Sequence, residues 1–326
     1  MAPLTSKAIR YLAGYLIAVC MIGPALTQEF PTRPLKIVVG FGAGGLGDTM
    51  SRIVAQKLTE SLGKPVVIEN MPGAGGITAA TTVARAAPDG HTMLLVSGQN
   101  AASPSLFKSL PYDLATDFAM IATIGVFDFV IMVKNDSPLK TVQDLITSAK
   151  RNPDTFNIGT ITVGSVQNLS ALMFMSKTGL QVPTIPFRTV GEVQAALLSG
   201  EVQVSFETYP AAIEQIRSGI LRPLAIMSEQ RRSYLPDLPT VAESGVPDFK
   251  LVSWNGFVAP AKTPREIIQR LNKAFTDAVA APDVRKRFTS LGLTAYASTP
   301  DEMRRFYDED VIQWRNVIAG AKIQPR

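Results

Sequence analysis

Short apolar runs alternate with amphipathic segments between residues 34 and 118. The runs are continuously apolar, which is typical of strands covered on both faces of a sheet. The segment 50–62 instead repeats apolar residues with the 3.6-residue period of a helix, and Gly63 follows as a typical helix stop. This alternation predicts a βαβαβ unit with right-handed crossovers and a parallel sheet. The predicted strands are LKIVVGF, PVVIEN and HTMLLVSG, and the predicted helices span 50–62 and 77–86.

A second series of the same kind lies between residues 128 and 250. Two similar α/β units predict two lobes, and the segments that join them, 121–129 and 251–258, have the pattern of strands rather than of Gly/Ser spacers. We therefore expect one lobe from 28–127 and 252–326, a second from 128–251, and a hinge of two crossing strands. Ligands of open α/β sheets bind outside the carboxyl ends of the strands, so the cleft between the lobes is the expected site. The second series comprises the strands FVIMVKND, FNIGTI, TIPFR, VQVSF and LRPLAIM and helices over 141–150, 166–179, 191–199 and 210–218.

The C-terminal part of the chain carries two helix-start signals. Thr263-Pro264 with Glu266, and Thr299-Pro300 with Glu302, each combine a hydroxyl, a proline and a glutamate in the order of a capping box. The last helix also carries one apolar stripe and is expected to pack back onto a lobe. The stripe consists of Met303, Phe306, Tyr307, Val311, Trp314, Val317 and Ile318.

The N-terminus has the pattern of a secretory signal peptide. Lys7 and Arg10 precede an apolar run over 11–26, so we expect a signal over 1–27 that is cleaved near Thr27. Cys20, the single cysteine, lies inside that run, so the mature chain has no disulfide. An alternative is lipid attachment at Cys20, although Val19 is bulky for that pattern. The export signal predicts a periplasmic protein, and no other stretch reaches the ~18 apolar residues of a membrane span.

Composition and charge exclude several classes of function. With 326 residues, of which 46% are hydrophobic, the chain can bury a large core. Its formal charge of +5 becomes +3 without Lys7 and Arg10 (5 − 2 = 3), and the charges are interleaved, unlike a nucleic-acid footprint. His91 is the single histidine, at a predicted strand edge, and no G-x-S-x-G occurs, so neither a catalytic triad nor a His/Cys metal site is expected. The sequence predicts no enzyme activity, no metal and no cofactor.

A glycine-rich loop, Gly40 to Gly45, follows the first strand and precedes a helix. The unpaired N–H groups at such a helix start suit an anion. The loop also matches G-x-G-x-x-G, and Glu69 stands about where a ribose-binding acid belongs, so a dinucleotide enzyme stays an alternative. The signal peptide, without twin arginines, speaks against an exported cofactor protein. A P-loop is excluded, because no Gly-Lys-Ser/Thr follows, and the plain structural interpretation is a turn capped by Asp48 or Thr49.

A second loop, Thr160 to Ser165, repeats the same local pattern in the second lobe. Two opposed helix starts could hold one or two carboxylates without a fixed cation. The alternative is that Ser165 only caps its helix. Further candidates are Ser97-Gly98-Gln99-Asn100 for amide and hydroxyl contacts, Arg188 as a bidentate carboxylate clamp or a solvated side chain, and Glu207 as an acceptor or a helix cap.

The ordered set of GFGAGGLGD, VVIENMPGAGG, APDGHTMLLVSG, IPFRTVGEVQAALLSGEV and VSWNGFVAPAKTP resembles the Bug family of substrate-binding proteins. These serve tripartite tricarboxylate transporters, and the similarity runs from about Pro31 to the C-terminus. The resemblance implies a type II periplasmic binding protein fold: α/β, with two lobes, each with a mostly parallel sheet flanked by helices. It further implies hinge closure on an organic carboxylate and delivery to a membrane permease.

The resemblance also places the site residues. The family loop P-F-x-P-G-G-x-x-D falls on 40–48, G-S-x-x-H-L-A on 164–170, and P-Y-K-G on 186–189. Several positions depart from the family: Gly40, Ala43, Met71, Asn168, Phe187, Arg188, Ala196 and Gln203. The expected ligand contacts are Phe41, Ala43, Gly44, Gly45, Asp48, Ser97, Gln99, Thr162, Gly164, Ser165, Val166, Phe187, Arg188 and Glu207.

Function is therefore expected to be capture of a small organic carboxylate by a monomeric receptor. The carboxylate oxygens would bind N–H groups at 43–45 and 164–166, and Gln99, Arg188 and Glu207 would shape specificity, in part through water. The expected partners are permease subunits. Presentation of the ligand to a sensor kinase is the alternative that the same fold allows.

Overall fold

A computed structural model describes residues 30–325, and all of its helices and strands lie in one compact unit that begins at Arg33. The expected signal peptide and Cys20 lie outside the described residues. The strands are β1 (Leu35–Val39), β2 (Val66–Asn70), β3 (Thr92–Ser97), β4 (Phe118–Lys134), β5 (Ile158–Ile161), β6 (Thr184–Phe187), β7 (Val204–Thr208), β8 (Leu221–Ile226), β9 (Val252–Pro260) and β10 (Thr294–Ala295). The helices are α1 (Leu46–Leu62), α2 (Ile77–Ala84), α3 (Gly98–Leu106), α4 (Val142–Arg151), α5 (Val166–Thr178), α6 (Val190–Ser199), α7 (Tyr209–Arg217), α8 (Arg265–Ala280), α9 (Pro282–Ser290) and α10 (Pro300–Gly320).

The strands form one mixed sheet in the order β2-β1-β3-β9-β4-β7-β5-β6, with β8 and β10 paired to β4. We call β2, β1 and β3 the first parallel group and β7, β5 and β6 the second. Both groups arise from the predicted alternation of strand and crossover helix. The antiparallel strands β4 and β9 lie between the two groups.

Strand β4 connects the two parallel groups because it is 17 residues long. Its residues 118–128 pair with β9, and its residues 129–134 pair with β7 and β8. Both segments predicted to join the lobes are therefore strands. Asp128 sits at the changeover, fully buried, where it accepts two hydrogen bonds from Arg232 (2.8 and 2.9 Å) and one from Tyr234. These contacts attach residues 227–251, the return segment between β8 and β9, to β4.

Most helices lie where the sequence predicts them, with three informative differences. Helix α1 begins at Leu46 rather than Met50, because Gly45 is its N-cap. Helix α3 was not predicted, since its first residues have the composition of a loop. The capping box at Thr299 is confirmed, whereas that at Thr263 is wrong: its hydroxyl donates to the Pro260 carbonyl and no side chain caps α8.

The core lies on both faces of the sheet, as the continuously apolar strands require. Helix α10 buries Met303, Tyr307, Trp314 and Ile318 against α3, α5 and β4, which confirms the packing predicted from its stripe. Within residues 30–325, none of the helices is both long and apolar enough to cross a membrane.

Candidate functional site

A cavity of about 570 Å³ lies at the carboxyl ends of β1, β3, β5, β6 and β7. Both parallel groups therefore contribute to it, as expected for open α/β sheets. Among the described residues that line it, none carries a charged side chain. The lining residues are Phe41, Gly44, Gly45, Leu46, Gly47, Thr49, Ser97, Gln99, Phe127, Phe129, Ile161, Ser165, Val166, Gln167, Val190, Thr208, Pro210, Ala211, Ser253, Asn255 and Leu291.

The positive ends of five helices border this cavity. Residues of the N-cap or first turn of α1, α3, α5, α6 and α7 all line it. The first N–H groups of a helix have no intrahelical acceptor, and the helix dipole places partial positive charge at that end. The cavity can therefore stabilise an anion with peptide groups in place of lysine or arginine.

The glycine loop is held in shape by Asp48, whose side chain is only 3% exposed. Its carboxylate accepts hydrogen bonds from the Gly44 N–H, the Arg52 guanidinium and the Asn70 amide, all at 2.9 Å. Burial raises the pKa of Asp48, but these hydrogen bonds outweigh that effect and hold the pKa below its usual value. Asp48 thus folds back on its own loop and does not line the cavity.

The second loop is built in a similar way. Ser165 is the N-cap of α5, and its hydroxyl accepts the backbone N–H of Asn168. The side-chain Oδ1 of Asn168 accepts the backbone N–H of Gly164 at 3.0 Å. Gly164 adopts φ +85°, a region that favours glycine. The interpretation of Ser165 as a cap is therefore confirmed, and Ser165 lines the cavity as well.

These bonds decide which N–H groups are left for a ligand. Those of Gly44 and Gly164 are bound within their loops, and the N–H of Ser165 donates to the Thr162 carbonyl. The first N–H groups inside each helix have no acceptor among the described residues. Leu46 and Val166, the first residues of α1 and α5, line the cavity. Which N–H groups of 43–46 and 164–166 bind a ligand stays a prediction.

The fourteen predicted contact residues divide evenly between the cavity and its surroundings. Those that line it are Phe41, Gly44, Gly45, Ser97, Gln99, Ser165 and Val166. Those that do not are Ala43, Asp48, Thr162, Gly164, Phe187, Arg188 and Glu207.

Three of the outlying residues differ from the expected chemistry. Phe187 packs against a core cluster of the second parallel group. Arg188 is exposed, and its backbone N–H donates to Glu192 at 2.9 Å. Glu207 is completely buried on β7, and neither of its carboxylate oxygens has a hydrogen-bond partner among residues 30–325. Burial raises the pKa of Glu207 to about 8, so the side chain is a neutral acid over much of the physiological range.

Sequence reasoning missed the part of the cavity that comes from distant segments. Phe127 and Phe129 point to the same side of β4 at the changeover between the parallel groups, with ring centroids 5.9 Å apart. Ser253 and Asn255 come from β9, and Leu291 follows α9. The one available signal was the alternation of Phe127 and Phe129 in a segment already predicted to be a hinge strand.

The remaining candidates are structural. His91 is buried just before β3, and its backbone N–H donates to the Asp89 carboxylate at 3.0 Å. Glu69, the candidate ribose-binding acid, pairs with Lys36 at 2.7 Å and is absent from the cavity lining. Over the described part of the chain, no group of three or more His, Cys, Asp or Glu side chains could hold a metal ion.

Comparison with known proteins assigns the chain to a family. Residues 50–323 match the tripartite tricarboxylate transporter family receptor. Protein BugT of Bordetella pertussis is 34% identical over 316 residues, which cover 95% of this chain and 97% of BugT.

Two solved structures extend this similarity to the fold. MatC from Rhodopseudomonas palustris with bound malate has a TM-score of 0.78 and 32% identity, and covers 89% of this chain and 100% of MatC. A second R. palustris protein, solved with adipate, has a TM-score of 0.82 and 30% identity, and covers 91% of this chain and 100% of its own. The predicted fold class, α/β with the type II periplasmic binding protein arrangement, is thereby confirmed. The chain belongs to the tripartite tricarboxylate transporter family of receptors.

Proposed function

We propose that this chain is an extracytoplasmic receptor that captures a small organic carboxylate in the cavity between the two parallel groups. The observation that carries the proposal is a cavity with uncharged lining, bordered by the N-termini of five helices. Such a site compensates a negative charge with peptide dipoles and supplies N–H donors. The malate and adipate bound by two relatives are anions of this class.

The connection between the parallel groups supports capture by hinge closure. We assign 28–127 and 252–326 to one lobe and 128–251 to the other, with β4 and the return segment before β9 as the hinge. A ligand that touches both lobes binds the closed state more tightly than the open state and so shifts the population toward closure. The closed form of a periplasmic monomer would then deliver the ligand to the permease subunits of a tripartite tricarboxylate transporter.

The first test is a thermal-shift screen of residues 28–326 against mono-, di- and tricarboxylates, with NAD as the competing ligand. A carboxylate at about 100 times its Kd should stabilise the fold by about 2.7 kcal/mol and raise the melting temperature accordingly. Stabilisation by NAD with no response to any carboxylate would refute the proposal.

A pair of matched substitutions tests whether peptide N–H groups hold the anion. Leu46 and Val166 are the first residues of α1 and α5, a position that tolerates proline and loses only an N–H that has no intrahelical acceptor. Leu46→Pro and Val166→Pro should each weaken carboxylate binding roughly tenfold or more relative to Leu46→Ala and Val166→Ala, because a hydrogen bond to a charged acceptor is lost. Equal affinities within each proline and alanine pair would contradict this mode of binding.

A further inference from the structure

Asp310 lies against the first turn of helix α3, one of the five helices whose N-termini border the cavity. It belongs to the middle of α10, and its Oδ2 accepts a hydrogen bond from the Trp254 Nε1–H at 2.9 Å. Gly98, the first residue of α3, stands between Ser97 and Gln99, which both line the cavity. A Cβ placed on Gly98 would come within 3.1 Å of the Asp310 Oδ2. A carboxyl group of α10 therefore touches the helix start that an anion in the cavity would face.

Ser253 lies between Asp310 and the cavity, together with Gly98. Its side chain lines the cavity, and the residue is 3% exposed. The Ser253 Oγ lies 3.1 Å from the same Cβ position on Gly98. Asp310 does not line the cavity, so its charge acts on an anion there through buried protein groups rather than through water. Charges in such surroundings interact more strongly than charges at the surface, and salt screens them less.

The proton affinity of Asp310 places its change of charge near neutral pH. Burial raises the pKa of this carboxyl group, the hydrogen bond from Trp254 lowers it, and the negative charge of the adjacent Glu309 raises it. The net result is a pKa of about 7. A modest change in the surrounding charge is therefore enough to add a proton to Asp310 or to remove it.

In the described part of the chain, no cation forms an ion pair with Asp310. Helix α3 and strand β9 carry no titratable side chain over 98–106 and 252–260. On α10, Tyr307 lies one turn before Asp310 and is neutral, because burial raises the pKa of its hydroxyl. The charged residues of β4 and α5, which also pack against α10, are Asp128, Lys134 and Lys177. Asp128 is bound by Arg232 and Lys134 pairs with Asp136, so Asp310 is left to respond to a charge in the cavity.

We propose that anion binding in the cavity is coupled to the uptake of a proton by the carboxyl group of Asp310. This inference rests on the proposed function and adds a pH dependence to it. An ionised Asp310 and a bound carboxylate repel each other and compete for the partial positive charge at the start of α3. Because linkage is reciprocal, the bound anion favours protonation of Asp310, and protonation of Asp310 favours the anion. The affinity for the anion therefore rises as the pH falls through 7, and the proton returns to the solvent on release.

The first test is isothermal titration calorimetry of residues 28–326 with malate and with adipate. Titrations at one pH in two buffers that differ in heat of ionisation give the number of protons taken up. If the bound anion raises the pKa of Asp310 by about one unit, the wild type should take up roughly half a proton per ligand near pH 7.5. The dissociation constant should then be roughly fivefold larger at pH 8 than at pH 6.

The variant Asp310→Asn assigns the proton to this residue. It is neutral at every pH and keeps an oxygen that can accept the Trp254 N–H. It should take up no proton, and at pH 8 it should bind the anion roughly fivefold more tightly than the wild type. A merely structural role would weaken binding instead. Asp308→Asn makes the same chemical change at an exposed position on α10, and it should leave the proton uptake and both affinities unchanged.

Two further variants keep the assignment open to refutation. Trp254→Phe removes a donor to ionised Asp310 and should shift the loss of affinity to higher pH. Glu207→Gln removes the fully buried carboxyl group of β7 and should leave the proton uptake in place. Uptake that disappears in Glu207→Gln but persists in Asp310→Asn would overturn the inference.

The results distinguish this inference from the function on which it rests. If malate or adipate binds equally well at pH 6 and pH 8 with no proton uptake, the receptor function stands and the coupling to Asp310 is overturned. If neither acid binds at either pH, the inference fails, and the wider carboxylate screen decides the function. Melting temperatures without ligand check that the variants are folded.

Discussion

Glu207 makes the stability of this protein depend on pH in a way that one substitution should remove. The side chain is completely buried on β7 with no hydrogen-bond partner in the described part of the chain, and burial raises its pKa from 4.5 to about 8. The hydroxyl of Ser205, its neighbour on the same face, is buried and likewise lacks a hydrogen-bond partner among the residues that the structure describes. An ionised Glu207 therefore finds no donor to offset the cost of losing water.

The sign and size of the effect follow from the two pKa values. Because the folded pKa is above the unfolded one, ionisation of Glu207 adds no cost below pH 4.5. It destabilises the fold progressively as the pH rises toward 8 and adds a constant cost above that. At about 1.36 kcal/mol per pH unit, the interval from 4.5 to about 8 corresponds to a full cost of about 5 kcal/mol. Between pH 5 and pH 8, ionisation of Glu207 should lower the free energy of unfolding by about 3–4 kcal/mol.

The assay is urea unfolding of the wild type and of Glu207→Gln and Glu207→Met at pH 5 and pH 8, followed by tryptophan fluorescence. The free energy of unfolding of the wild type should fall by about 3–4 kcal/mol more than that of either variant over this interval. Comparing differences removes the contribution of other titrating groups. The reasoning would be refuted if the wild type and Glu207→Gln showed the same change between the two pH values.

Three further substitutions test other parts of the structure. Asp48→Ala should lower the free energy of unfolding by about 2–4 kcal/mol and weaken ligand binding, because Gly44 loses its acceptor; Asp48→Asn, which keeps an acceptor, should cost less in the same urea titration. Asp128→Ala removes the buried partner of Arg232 and should lower the free energy of unfolding by about 3 kcal/mol. Arg232→Lys should lose only part of that, and an unchanged urea midpoint for Asp128→Ala would contradict the role assigned to Asp128. Asp310→Asn should flatten the pH dependence of stability between pH 4 and pH 7, since burial raises the pKa of Asp310 to about 7; an identical pH profile for the variant would count against this.

Much of the fold is readable from the sequence because each element carries a local signal. Continuous apolar runs give the strands, and glycine stops such as Gly179 give the helix ends. The start of α1 was misplaced because its cap is Gly45, and the stabilising contact comes from Asp48 at the third helical position rather than from a capping side chain. Helix α3 was missed because serine, glycine and asparagine at a helix start resemble a loop in composition.

Only half of the predicted contact residues line the cavity, and several of the residues that do line it reach it through tertiary contacts. Residues directly after a strand, such as Phe41 and Ser165, reach the cavity because parallel strands end at one edge of the sheet. Asn255 reaches it through the antiparallel pairing of β4 with β9, Phe129 through the pairing of β4 with β7, and Leu291 from the end of α9, and no local sequence pattern predicts these approaches. Arg188 was expected in the site because it follows a strand, yet β6 is the outermost strand of its group and the side chain is exposed.

The uncharged lining of the cavity bears on how such a receptor can change over time. Peptide N–H groups belong to every residue except proline, so replacing a side chain in the wall leaves the attraction for an anion intact. Replacing Phe41 or Leu291 alters the shape and hydration of the cavity, while the helix N-termini keep their partial positive charge. A duplicated gene can therefore acquire specificity for a new acid through intermediates that still bind an anion. A library of substitutions at these lining positions should yield binding proteins for many different acids.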